Sequence, residues 1–193
     1  MMRIISGKRR GAILLSPKGK NTRPTSGRVK EALFNILHTN RFNFALKGKL
    51  VVDAFAGTGA LGLEALSRGA GKAVFIENDT NTLKVLKANI ESLEFQRDSQ
   101  IIVADASRIS TKASSAASLV LMDPPYNSDL GSCCIESLNK TGWIDEETLV
   151  VAEQSSKNAS SMPPWLNCIK TEKYGAACLS FFIPIKSTIK KNR

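Results

Sequence analysis

The sequence has one histidine, His38, and four cysteines, none of them in C-x-x-C spacing. Cys133 and Cys134 are adjacent while Cys168 and Cys178 stand apart, so neither a zinc cluster nor a disulfide framework is spelled out. The thiols are expected to be reduced and mostly buried. No apolar run approaches the roughly 18 residues that span a bilayer. The opening MMRIISGKRRGAILL is basic but has only a short apolar stretch, AILL, too short for the hydrophobic region of a secretory signal. These absences point to a cytosolic protein without membrane or metal. Internal repeats are missing too, and the one biased stretch is the Ser/Asn-rich SSKNASSMPP at 155–164. Acid is missing where it matters most. Residues 1–30 hold nine basic side chains, Arg3, Lys8, Arg9, Arg10, Lys18, Lys20, Arg23, Arg28 and Lys30, and no Asp or Glu. The last eight residues add Lys186, Lys190, Lys191 and Arg193, again without an acid. A mildly acidic body of 14 basic and 17 acidic residues therefore carries two basic ends within a net charge of +10. A polyanion partner explains that distribution better than a generally solubilising surface.

What is present is an alternation of short β-rich runs and helical ones, in a chain of 193 residues that suits one substantial domain. LVVDAF (50–55), AVFIEN (73–78), QIIVADA (100–106), SLVLMD (118–123) and TLVVAEQ (148–154) read as strands. ALGLEALSRG (60–69), residues 79–95 and SDLGSCCIESLNK (128–140) read as helices. In the second of these Leu83, Leu86, Ile90 and Leu93 share a face, and Asp79 is placed to cap it. The tail CIKTEKYGAACLSFFIPI turns at Tyr174-Gly175 and reads as a closing hairpin. Upstream, RPTSGRVKEALFNIL starts a helix with Val29, Leu33, Ile36 and Leu37 inward, and residues 2–16 are expected to form a small hairpin. Strands that are apolar without polar alternation, separated by helices, imply a parallel sheet covered on both faces.

The first strand runs into DAFAGTGALG, where Gly57, Gly59 and Gly62 fit G-x-G-x-x-G and Glu77 lies twenty residues past Gly57. That pattern suits a dinucleotide, any other nucleoside-bearing cofactor, or a purely structural tight turn. Asp53 separates these readings. A carboxylate at the strand end would repel a pyrophosphate and attract the ammonium or sulfonium of S-adenosylmethionine. Glu77, after the second strand, is placed to accept from ribose hydroxyls, and Asp105, after the third, from an adenine amino group. Three acids at three successive strand ends define one crevice.

The fourth strand ends in MDPPYN (122–127), a D-P-P-Y tetrapeptide of the kind found in amino-group methyltransferases. An exocyclic amino nitrogen is a weak nucleophile while its lone pair is delocalised. Acceptors that hold its hydrogens let it pyramidalise towards a methyl group. Asp123 and the Pro124 carbonyl can be those acceptors, Pro124 and Pro125 stiffen the turn without N–H groups of their own, and Tyr126 offers a stacking face. The tetrapeptide alone leaves adenine, guanine or glutamine open as the target.

The chain as a whole resembles one family. MRIISGKRRG, RPTSGRVKEALFNIL, DAFAGTGALGLEALSRGA, IEND, the DA at 105–106, MDPPY and YGAACLSFF occur in the order found in RsmD-type rRNA methyltransferases, over about residues 2–183. The resemblance implies an α/β, Rossmann-like, seven-stranded and mostly parallel sheet with helices on both faces and an antiparallel C-terminal hairpin. Its expected divisions are a basic arm at 1–24, the methyltransferase domain at 25–185 and a basic tail at 186–193. It implies methyl transfer from S-adenosylmethionine to N2 of guanine 966 of 16S rRNA during small-subunit assembly. The transfer is expected to be direct and without metal, and the protein to be a monomer. Carried over by motif, Asp53, Gly57 and Gly59 would hold the methionyl part, Glu77 the ribose and Asp105 the adenine, with Phe55 and Ala106 in the same site. Asp123, Pro124, Pro125 and Tyr126 would hold the guanine. Arg23 and Thr25 would border cofactor and RNA, and Arg3, Lys8, Arg9, Arg10, Lys18, Lys20 and Arg28 would hold phosphates. The alternatives are a DNA adenine-N6 methyltransferase, which is expected to need a recognition domain larger than the roughly 45 residues before the core, and a non-catalytic RNA assembly factor that keeps a cofactor pocket.

Overall fold

Apolar residues on both faces of the strands give the sheet two cores. The structure, a computed structural model, describes residues 2–17, 27–39, 42, 44–125, 129–156 and 161–186. Among these, seven strands form one sheet: β1 (Leu50–Ala54), β2 (Lys72–Glu77), β3 (Ser99–Val103), β4 (Leu119–Met122), β5 (Leu149–Ser155), β6 (Leu166–Tyr174) and β7 (Ala177–Pro184). Their order is β3-β2-β1-β4-β5-β7-β6. The first five pair in parallel, and β7 lies antiparallel between β5 and β6. Because side chains alternate across a pleated strand, Val51, Phe75, Leu119, Val151 and Phe181 enter one core while Val52, Ile76, Val120, Val150 and Phe182 enter the other.

Helices α1 (Gly27–His38), α2 (Ala60–Ser67) and α3 (Thr80–Ser92) cover the first core. α4 (Leu130–Lys140) and a 3-10 turn (Ala106–Arg108) cover the second. The cap expected at Asp79 is present, its side chain accepting from Thr82 N–H at 2.7 Å. The third strand stops at Val103, earlier than its apolar run. Asp105 turns its side chain onto Ser107 N–H and so starts the 3-10 turn instead of continuing the ladder. In α1, Val29, Leu33, Phe34 and Leu37 are buried, and Ile36 is half-buried against the same core.

The N-terminal residues fold back on themselves through a bridge between Arg3 and Ile13, with Ile4 N–H donating to Ala12 O at 2.9 Å. Ile4 and Leu14 drop into the first core. The hairpin is tied to α2 by a buried charge. Glu64, 0% exposed, accepts from Ile5 N–H at 2.8 Å, Ser6 N–H at 3.0 Å and Arg68 Nε at 2.8 Å. Lys30, 2% exposed, lies 3.3 Å from Glu64 and donates to Arg3 O at 2.8 Å. Gly7, at φ +86, lets the hairpin approach so closely that a Cβ there would stand 1.8 Å from Ser67 O.

Chain order reverses direction across the sheet between β1 and β4. In open α/β sheets such a switch point leaves a crevice at the carboxyl ends of the strands.

Candidate active site

β1 leaves the sheet at Asp53-Ala54 and reaches α2 through a turn of unusual backbone. Phe55 has φ 61, Gly57 φ 55 and Gly59 φ 82. A non-glycine residue held in this region costs about 1–3 kcal/mol, so something must hold Phe55 there. The flanking turn is pinned to β2: Ala56 N–H donates to Ile76 O at 2.9 Å and Gly57 N–H to Glu77 Oε2 at 2.9 Å. The third glycine of the motif serves packing. A Cβ on Gly62 would stand 2.4 Å from Phe75 Cε1 and 3.1 Å from Asp53 Oδ2, so only glycine lets α2 close on the sheet.

Asp53 is 1% exposed and accepts from Gly62 N–H at 2.8 Å, at the start of α2. Burial pushes its carboxyl up to about 8; the Gly62 N–H opposes the shift, and the nearby Asp123 and Glu77 charges add to it. Glu77 is half-buried. Its Oε1 accepts from Asn78 N–H and Asp79 N–H, both at 2.8 Å, and its Oε2 from Gly57 N–H. Each carboxylate oxygen can accept two hydrogen bonds, so Oε2 keeps one acceptor position. Asp105 is exposed, and its Oδ1 accepts from Ser107 N–H at 2.9 Å and Ser107 Oγ at 2.8 Å. Those bonds hold its carboxyl below the usual range, ionised at neutral pH.

At the end of β4, Asp123 is half-buried, Pro124 is buried and Pro125 is exposed. Pro124 packs beside Gly131 of α4: a Cβ on Gly131 would lie 3.4 Å from Pro124 Cγ and 3.2 Å from Met122 Cε. Phe55, Glu77, Asp105, Ala106, Asp123 and Pro125 together line one crevice of about 370 Å³. The acceptor set suits a cationic nucleoside: the carboxylates of Glu77, Asp105 and Asp123 around the crevice, an open acceptor on Glu77 for a ribose hydroxyl, and Asp53 buried beneath the adjoining turn.

The family model described as conserved hypothetical protein 95 matches residues 2–183. The chain belongs to this family, the RsmD-type methyltransferases. It is 34% identical over 163 residues to ribosomal RNA small subunit methyltransferase D of Escherichia coli K12, covering 84% of this chain and 79% of that protein. Among solved structures it superposes on one described as a methyltransferase from Escherichia coli, with TM-score 0.80, 31% identity and coverage of 95% and 97% of the two chains. An RNA methyltransferase from Salinibacter ruber, solved with S-adenosyl-L-homocysteine, shares the fold at TM-score 0.61 and 16% identity, over 84% of this chain and 94% of that one.

In this RsmD-type chain the residues named from sequence divide by where the structure places them. Six line the crevice. Asp53, Gly57 and Gly59, at the end of β1 and in the turn after it, and Pro124, after β4, do not line it themselves. Lys18, Lys20, Arg23, Thr25 and Tyr126 lie outside the described residues. On the hairpin and α1, Arg3, Lys8, Arg10 and Arg28 are exposed. Arg9 is engaged elsewhere: its Nε donates to Leu93 O at 2.8 Å and its guanidinium pairs with Glu94. The sequence reading missed Asn78, Ala104 and Leu130, which also border the crevice. Asn78 directly follows the strand-end acid Glu77, and that position was the one signal available for it.

Proposed function

We propose that this protein transfers the methyl group of S-adenosylmethionine to the exocyclic N2 of a guanine in 16S rRNA, the nucleotide numbered 966, during small-subunit assembly. The observation that carries the reading is the junction at the end of β4. There Asp123 and Pro125 border the same crevice as Glu77 and Asp105, so a cofactor and an amino group would meet at one place. The names of the relatives support rRNA as the substrate class.

S-adenosylmethionine supplies an electrophilic methyl on a sulfonium when it is bound. Glu77 Oε2 would accept from a ribose hydroxyl and Asp105 from the adenine amino group, while Phe55 and Ala106 close the walls around the nucleoside. Asp53, on giving up its proton, would place a negative charge beneath the turn for the methionyl ammonium. For the substrate, the guanine leaves its stack, as a base must when chemistry occurs on its edge. Asp123 and the Pro124 carbonyl accept the amino hydrogens, which localises the nitrogen lone pair. The amino nitrogen so held would take the methyl group, leaving S-adenosylhomocysteine, and the proton lost from nitrogen would pass to Asp123 or to water. Positioning and fixed dipoles supply most of the acceleration.

The test is transfer of labelled methyl to small-subunit particles, naked 16S rRNA and DNA, followed by nucleoside analysis. N2-methylguanosine from the ribosomal substrates is expected, and N6-methyladenine from DNA would overturn the assignment. Asp123→Ala is expected to keep calorimetric binding of S-adenosylmethionine and to lose turnover by roughly 100-fold or more. Unchanged turnover would remove Asp123 from the mechanism.

A further inference from the structure

One fully buried polar side chain has no part in the chemistry above. Asn89 is 0% exposed on the inner face of α3, beside Leu86, Ile90 and Leu93. An amide there is costly unless it is fully bonded, and its partners come from two distant segments. Its Oδ1 accepts from Leu15 N–H at 2.8 Å, and its Nδ2 donates to Leu15 O at 3.2 Å and to Thr58 O at 2.9 Å. Both donor hydrogens are used, one on the N-terminal hairpin and one on the glycine turn. Leu15 is 53% exposed and Ser16 is exposed as well, so Leu15 is held by its backbone bonds to Asn89 more than by packing. Thr58 Oγ1 donates to Met2 Sδ at 3.5 Å, a second link between the same two segments.

We propose that Asn89 is a positioning residue that joins the basic hairpin to the cofactor turn, so that RNA held by the hairpin and cofactor held at the turn favour the same joined state. The proposal rests on the rRNA methyltransferase reading above. The joint has two discrete conditions, with the three amide bonds made or broken. A ligand that binds the anchored hairpin shifts that equilibrium towards the joined form, and so does a ligand that binds the ordered turn. Each then tightens the other by the same factor, as linkage requires.

S-adenosylhomocysteine is an unreactive probe for the turn, and a 16S rRNA fragment carrying the target guanine is the probe for the hairpin. Calorimetry would give the Kd of S-adenosylhomocysteine with and without saturating fragment. In the wild type the fragment is expected to tighten it about fivefold or more, and S-adenosylhomocysteine should tighten RNA by the same factor. In Asn89→Ala the ratio is expected to fall to near one. Leu15→Pro should do the same without touching α3, because proline removes the N–H that Asn89 accepts. Leu15→Ala keeps both backbone bonds and should keep the ratio. A purely structural Asn89 would weaken both Kd values equally and leave the ratio intact, and that result overturns the proposal. So does a wild-type ratio of one with RNA demonstrably bound. Failure of the wild type to bind the fragment at all would instead overturn the RNA reading on which the proposal stands.

Discussion

Asp53 and Asp105 carry the same functional group in two opposite environments. Asp105 is exposed and bonded to Ser107, which keeps it ionised. Asp53 is sealed under the glycine turn, with Asp123 and Glu77 near enough to add their repulsion, and its carboxyl rises from 3.8 to about 8. The proton on Asp53 therefore belongs to the folded, ligand-free state. The stability linked to it is fully present below pH 3.8 and is lost as the pH rises through about 8. A cation arriving at the turn reverses that preference and expels the proton. Binding of S-adenosylmethionine at pH 6.5 should then release close to one proton, measured by calorimetry in buffers of different ionisation enthalpy. Affinity should climb by roughly tenfold per pH unit and level off above pH 8. Asp53→Asn should abolish both the release and the slope. A flat profile in the wild type would detach Asp53 from the cofactor's charge.

At the scale of elements, the hairpin, α1 and α2 meet at one buried ion pair. Lys30 is buried, and burial lowers its pKa from 10.5 although Glu64 opposes the shift. Leaving a buried charge without any partner costs roughly 3–5 kcal/mol, but without Lys30 the Glu64 carboxylate keeps Arg68 Nε at 2.8 Å. Lys30→Met should therefore cost less than that in chemical denaturation and should also loosen the hairpin, because Arg3 O loses its donor. Faster amide exchange at Ile5 and Ser6 would register that loosening. None of this was visible in the sequence, where Lys30 counts as one more cation of a basic arm and Glu64 as a polar residue in an apolar helix. Their partnership spans 34 positions of chain and has no periodic signature. The strands were legible because both their faces are apolar, and α3 because its cap and its inner face agree. The crevice was legible through its acids. Asn78, Ala104 and Leu130 contribute by position alone, and nothing in their chemistry marks them. Arg9 shows the same limit: a cation in a basic run, it is held at the C-terminal end of α3 by partners more than 80 positions away.

For the molecule as a whole the electrostatics divide into two fields of opposite sign. The crevice collects Glu77, Asp105 and Asp123, which would attract a cationic cofactor and repel a nucleic-acid backbone. Affinity for RNA must come from elsewhere, and Arg3, Lys8, Arg10 and Arg28 stand exposed on the hairpin and the first turn of α1. Phosphate contacts release counterions, so each one adds about 0.7 to the slope of log K against log salt for single-stranded RNA. Replacing Arg3, Lys8 and Arg10 together by Ala should lower that slope by roughly 2 and raise the KM for RNA. The Kd for S-adenosylmethionine measured without RNA should stay nearly constant, because none of the three touches the glycine turn. Arg9→Ala separates the two roles of a basic residue. Its guanidinium is committed to Leu93 O and Glu94, so the variant should lose thermal stability while keeping the slope of the parent. If Arg9→Ala flattens the salt dependence as the triple variant does, the commitment of Arg9 to α3 gives way in the RNA complex, and the phosphate-binding surface extends across that end of the helix.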